Sequence, residues 1–180
     1  MKTILFVFLF PFSVFAFENP YEPCAGMNCT PRLLEISAGF SAAGGIEASA
    51  LPLLASGECY HMSESYDANT THYGTFLLDQ KDGQAYLGGS FAFFYSENPY
   101  RNWDLAKARA ENSNLYADNH RAELTPEFAF ADMNPGQSTL LLYWLKRTGK
   151  KIFVMGQWDV FHRLLCEMSV HEGAGGAAKR

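Results

Sequence analysis

The chain has 180 residues, 48% of them hydrophobic and 15% aromatic, with 14 Lys and Arg against 19 Asp and Glu for a net charge of −5. That is enough apolar content to bury one full core, so a single domain is the default at this length. The acidic excess works against a phosphate backbone, and the densest basic cluster, Lys146-Arg147 with Lys150-Lys151, brackets a turn; nucleic acid is therefore excluded as the expected partner.

Lys2, the apolar run Ile4 to Phe10 and the stretch Ser13-Val14-Phe15-Ala16 read as a secretory signal peptide over residues 1–16. Pro11 and Glu18-Asn19-Pro20 cut the run short of the roughly 20 apolar residues a membrane anchor needs, and no later stretch is long and apolar enough to span a bilayer. A secreted or periplasmic location is expected. Without Lys2, the mature chain carries 13 basic against 19 acidic residues, a net of −6.

Residues 17–31 hold Pro20, Pro23, Pro31, Cys24 and Cys29 without periodicity, as expected of a segment ordered by a disulfide. Cysteines in an exported chain tend to be oxidised, and four of them allow three pairings. Cys24 and Cys29 are close in sequence, whereas Cys59 and Cys166 both sit in strand-like runs. The pairs expected are Cys24 with Cys29 and Cys59 with Cys166. Zinc is the competing use of these residues, but the spacing lacks a Cys-x-x-Cys or Cys/His pattern.

Arg32 to Phe40 alternates weakly and reads as a first strand. From Ala38 to Gly57, 13 of 20 residues are Ala, Gly or Ser, a stretch poor in core-filling bulk. Gly57 to Ser63 looks like a strand and Glu64 to Thr71 like a polar loop. His72 to Tyr95 then reads as a hairpin about Lys81-Asp82-Gly83. Its return strand carries Leu87, Phe91 and Phe93 on one side and Tyr86, Ala92 and Phe94 on the other, so both faces need cover. Gly88-Gly89 signals a bulge or a close backbone approach.

Asn102 to Asn112 is the one short, peripheral helix, with Asn102 as its expected cap. A strand is plausible at Glu127 to Ala131. Strong strands follow at Thr139 to Lys146, Lys151 to Trp158 and Phe161 to His171, and residues 172–180 read as a frayed tail. Strands outnumber helices and hairpin turns recur, so residues 32–171 form a single all-β domain. The expected architecture is an antiparallel β-sandwich of jelly-roll type, with a closed antiparallel β-barrel as the alternative.

The residues with chemistry are scattered. His61 and His72 lie at opposite ends of one loop with Asp67 between them, and Asp159 precedes His162 by three residues. His120 and His171 stand apart, and the zinc-protease spacing is absent. Ser41, Ser49 and Ser56 sit in the low-bulk stretch rather than in a nucleophile elbow. Glu58, Glu123, Glu127 and Glu167 are all eligible as acids, which selects none. No cofactor is expected; calcium is the one ion the pattern would admit, at Asp67-x-Asn69-x-Thr71 or Asp132-x-Asn134-x-Gly136, though Asx-turns explain both stretches without it. Asn28 and Asn69 each open a glycosylation sequon. Trp144 and Trp158 read as core, whereas Trp103, beside Tyr100 and Arg101, reads as an exposed aromatic.

The function expected is therefore an exported, non-catalytic binding domain that recognises a carbohydrate or protein partner through loops and aromatics, with Tyr100, Arg101 and Trp103 as the ligand-binding residues. The alternatives are a secreted hydrolase of envelope or extracellular polymer, drawing on the Glu58 to His72 region, and a structural envelope component. A closed barrel would instead favour a small apolar ligand held inside.

Overall fold

The computed structural model describes residues 22–63, 71–92, 95–132, 142–157 and 162–171. The expected signal peptide and the tail over 172–180 lie outside the described residues. A helix, α1 (Pro31–Ala42), precedes three strands, β1 (Leu53–Ser63), β2 (Thr71–Lys81) and β3 (Gln84–Ala92). A second helix, α2 (Leu105–Glu111), leads into β4 (Arg121–Leu124), β5 (Ala129–Asp132), β6 (Leu142–Thr148), β7 (Lys151–Gln157) and β8 (His162–Val170).

Each strand pairs antiparallel with the next, and β8 returns to pair with β1 from Ala55↔Val170 to Ser63↔His162. The sheet is a closed eight-stranded barrel, which corrects the jelly-roll sandwich in favour of the alternative. The physical reason is the first and last strands: they meet edge to edge, so among the described residues there is no second sheet to pack against.

Arg32 to Phe40 is helix, not strand. The Leu33 amide donates to Thr30 Oγ1 at 3.3 Å, Pro31 occupies the first turn, and Leu33, Ile36 and Phe40 fall on one buried face. A spacing of three and four outweighs the weak alternation. Thr30→Ala is expected to cost about 1 kcal/mol, lowering the thermal midpoint by about 2–4 °C; an unchanged melt would show that the cap carries no stability.

Alternation sorts the strand residues into inside and outside. Leu53, Ala55 and Cys59 face Phe76, Leu78, Leu87, Leu145, Val154 and Met168 within the barrel. Outside, Met62, Trp144, Phe153, Met155 and Leu165 are covered by Leu33, Ile36 and Phe40 of α1. On the other flank Leu54, Leu77 and Tyr86 are covered by Ala108 of α2 and by Leu115. These two outer covers explain strands with two apolar faces, β3 among them.

Asp82 (φ 52°) and Gly83 (φ 79°) make the two-residue turn between β2 and β3. The register runs unbroken from Lys81↔Gln84 to Tyr73↔Ala92, so Gly88-Gly89 is not a bulge. Side chains approach, and at Gly89 the neighbouring backbone as well: a Cβ at Gly88 would lie 2.6 Å from Asn112 Oδ1, and one at Gly89 3.1 Å from the Phe76 ring and 3.3 Å from the Thr75 carbonyl oxygen. Helix α2 is capped by Asp104, which accepts from Lys107 N at 2.8 Å, rather than by Asn102. It is clamped to β2 by Arg109, whose Nε and Nη2 donate to Asp79 at 2.7 and 3.0 Å, while the Tyr116 hydroxyl donates to the same carboxylate at 2.8 Å.

The expected disulfides are both formed, Cys24 with Cys29 and Cys59 with Cys166. Cys59 and Cys166 are paired residues of β1 and β8, so this bridge lies inside the barrel across its closing seam. Among the described residues no helix is long and apolar enough to cross a membrane.

Candidate functional site

The two ends of the barrel differ. One has the tight turns at Asp82-Gly83 and Gly149-Lys150 and is plugged by Ile46 and Leu51, which join the interior cluster. The other, called the mouth, is where β1 ends at Ser63 and β8 begins at His162; the connections at this end, residues 64–70, 93–94, 133–141 and 158–161, lie outside the described residues.

Three histidines turn inward at this mouth. His72 is the cross-strand partner of Cys59, and the alternation through Cys59 and Cys166 puts His61 and His162 on the same inner face. The His61 and His162 rings stack with centroids 5.8 Å apart and planes 19° from parallel. His72 is 7% exposed. Burial, and then the charge of nearby His61, hold its pKa below the usual imidazole range, so it is neutral at physiological pH.

Under the imidazoles lies a layer of rings. Phe76 meets both Phe91 and Tyr143 edge-on with centroids 5.4 Å apart. Gly156, the partner of Tyr143 on β7, is what admits that ring: a Cβ there would sit 2.8 Å from it. Burial pushes the Tyr143 hydroxyl up to about 12, so it keeps its proton and can donate. Below this layer Leu53, Leu78, Leu87, Leu145, Ile152 and Val154 fill the barrel. This end thus gathers three imidazoles over a layer of aromatic rings. Among the described residues no group of three His, Cys, Asp or Glu is placed to hold a metal ion. Asp67, Asn69, Asn134 and Gly136 of the calcium patterns, and Asp159, lie outside the described residues.

No family model, characterised protein or solved structure matches the chain. Function is therefore read from its own side chains.

The residues expected to bind a ligand lie away from the mouth. Tyr100 is buried and meets Trp103 edge-on at 4.9 Å. Trp103 is half-buried against the cluster of Leu54 and Leu77, with Lys107 Nζ 5.2 Å from its ring centre. Arg101 is exposed and pairs with Glu97 at 3.0 Å. An open cleft of about 400 Å³ runs along residues 95–102, and Tyr95, 60% exposed, is the aromatic at its edge. A second open cleft, about 460 Å³, crosses the outside of β4 and β5 between the two helical covers, lined by Arg121, Glu123, Phe130 and Asp132.

Glu58 does not join the mouth histidines. It alternates to the outside of β1, where it accepts from Tyr60 Oη at 3.1 Å and faces Arg32 at 3.7 Å. Trp144 is core, as expected, and Trp158 lies outside the described residues. What the sequence left apart was His162 and Tyr143. Counting strand alternation back from Cys166 would have put His162 inside once Cys59 was taken as its partner.

Proposed function

We propose that this protein is an exported binding barrel that takes a small ligand at its mouth, holding a planar or anionic group among His61, His72 and His162 over the Phe76, Phe91 and Tyr143 rings. One observation carries the reading: His162 enters the same end of the barrel as His61 and His72, about a hundred residues earlier in the chain. Barrel mouths are frequent binding sites, and a few convergent polar groups over an apolar floor are what such sites use. The filled lower half favours a shallow seat over a deep calyx for the apolar ligand a closed barrel suggests. The two disulfides support an oxidising compartment.

Anilinonaphthalene sulfonate, an aromatic anion, is a direct probe. Saturable one-to-one fluorescence enhancement is expected, weakened at least about tenfold, or 1.4 kcal/mol, in a His61→Leu/His162→Leu variant that keeps its fold. Binding that survives this double change unaltered, or that never saturates, would rule the mouth out. A second reading, a carbohydrate or protein partner held along Tyr95 to Trp103, draws on the open cleft there and on exposed Tyr95. Sensitivity to Arg101→Ala in place of the histidine changes would select it.

A further inference from the structure

The outer face of β1 carries a hydroxyl and an imidazole in contact. Ser56 Oγ lies 2.8 Å from His171 Nε2, and His171 Nδ1 lies 2.7 Å from the Trp103 carbonyl oxygen. A carbonyl can only accept, so Nδ1 carries the ring proton. In the neutral ring Nε2 is then the acceptor, and the Ser56 hydroxyl must donate to it. Asn98 settles the remaining geometry: its Oδ1 accepts from Tyr100 N at 2.9 Å, which turns Nδ2 toward Ser56 Oγ at 3.1 Å. A hydroxyl has one proton and two lone pairs. The proton points at a base, one lone pair is engaged by an amide, and one lone pair is left.

This is the arrangement of an activated nucleophile: a hydroxyl on a base, and the base oriented by a third group. The His171 backbone is fixed as well, its amide donating to Leu54 O at 2.8 Å. Ser56 is 4% exposed, and Asn98, which touches it, also lines the open cleft along residues 95–102. Asn98 therefore stands between the cleft and the Ser56 oxygen, and the hydroxyl itself is kept from bulk water.

We infer that Ser56 is a catalytic nucleophile for carboxylic esters that enter by this cleft, with His171 as its base and the Trp103 carbonyl as the positioning group. Ser56 Oγ attacks the ester carbonyl carbon as its proton passes to His171 Nε2. The bond to the alcohol oxygen then breaks, and the alcohol leaves with that proton. Water attacks the acyl-serine and gives a proton to Nε2, which returns it to Ser56 Oγ as the carboxylic acid departs. Asn98 Nδ2 is a side-chain donor held 3.1 Å from the attacking oxygen. The site lies outside the barrel and does not depend on a ligand at the mouth.

The test is an alkyl fluorophosphonate, which labels activated serines, applied to the full oxidised chain and mapped by peptide mass spectrometry. A single adduct on Ser56 is expected. His171→Gln should slow labelling by about 100-fold or more, and Ser56→Ala should abolish hydrolysis of p-nitrophenyl butyrate with an unchanged circular dichroism spectrum. Mapping the wild-type adduct needs no variant to fold: no adduct, or one on another residue, overturns the assignment. So does labelling that is indifferent to His171→Gln.

Discussion

Replacing Cys59 and Cys166 together by alanine is expected to lower the thermal midpoint by roughly 10–20 °C. The bridge spans a sequence separation of 107 residues, and in the chain-entropy model a loop of that order is worth about 4–5 kcal/mol. For a chain of this size each kcal/mol moves the midpoint by about 2–4 °C. The location adds to the effect, because Cys59 and Cys166 face each other across the seam between β1 and β8 that makes the sheet a barrel. Cys24 and Cys29 are separated by five residues, and their bridge is worth only about 2 kcal/mol in the same model. Melts of the double variant, and of the wild type with and without reductant, give the comparison. A fall of less than about 3 °C would mean that the β1–β8 ladder closes the barrel unaided.

Arg109→Ala should be the next most damaging change, at about 2–3 kcal/mol. The Asp79 side chain is 2% exposed, and Arg109 is the cation that compensates it. Breaking a buried pair from one side costs about 3–5 kcal/mol, but the Arg109 side chain is 45% exposed, and solvent screening lowers the figure. The effect has a pH signature. Burial pushes the Asp79 carboxyl up, but the hydrogen bonds from Arg109, Tyr116 and Gln80 N, with the charge of Arg109, outweigh burial and leave it below the ordinary value. A carboxylate held low in the folded state contributes its stability above the unfolded pKa, about 4, and loses it as the pH falls through the folded one. The deficit of Arg109→Ala against wild type is therefore full at pH 7 and narrows in acid below about pH 4. Urea titrations at pH 7 and pH 3 measure it; a deficit that stays constant would remove the ion pair from the explanation.

Local chemistry was legible in the sequence, and closure was not. Asp82-Gly83 announced its hairpin, both disulfide pairs followed from sequence proximity and strand context, and the return strand was read correctly as needing cover on both faces. The choice between sandwich and barrel rests on β1 meeting β8, a pairing that leaves no mark in either strand alone. Helix α1 was missed although its signals stood in the chain: Thr30 before Pro31, then Leu33, Ile36 and Phe40. For the candidate sites, His61 and His72 could be brought together because one loop joins them. His162 needed the register of β8, and Ser56 with His171 needed the pairing of strand ends 115 residues apart. Trp103 looked exposed because Pro99 and Arg101 flank it, but Leu54 and Leu77 on the barrel wall give its ring something to pack on.

That closing seam also bears on the order in which the cysteines can meet, N-terminus first. Strand β1 finds β2 within a few residues, but its other edge waits for β8, the last of the described strands. Throughout that wait Cys59 is a thiol without its proper partner. Cys24 and Cys29, synthesised earlier and nearly adjacent, can already have consumed each other and left Cys166 as the sole remaining match. Loop-closure entropy alone thus favours the short-range pair over a bond from either of its cysteines to Cys59.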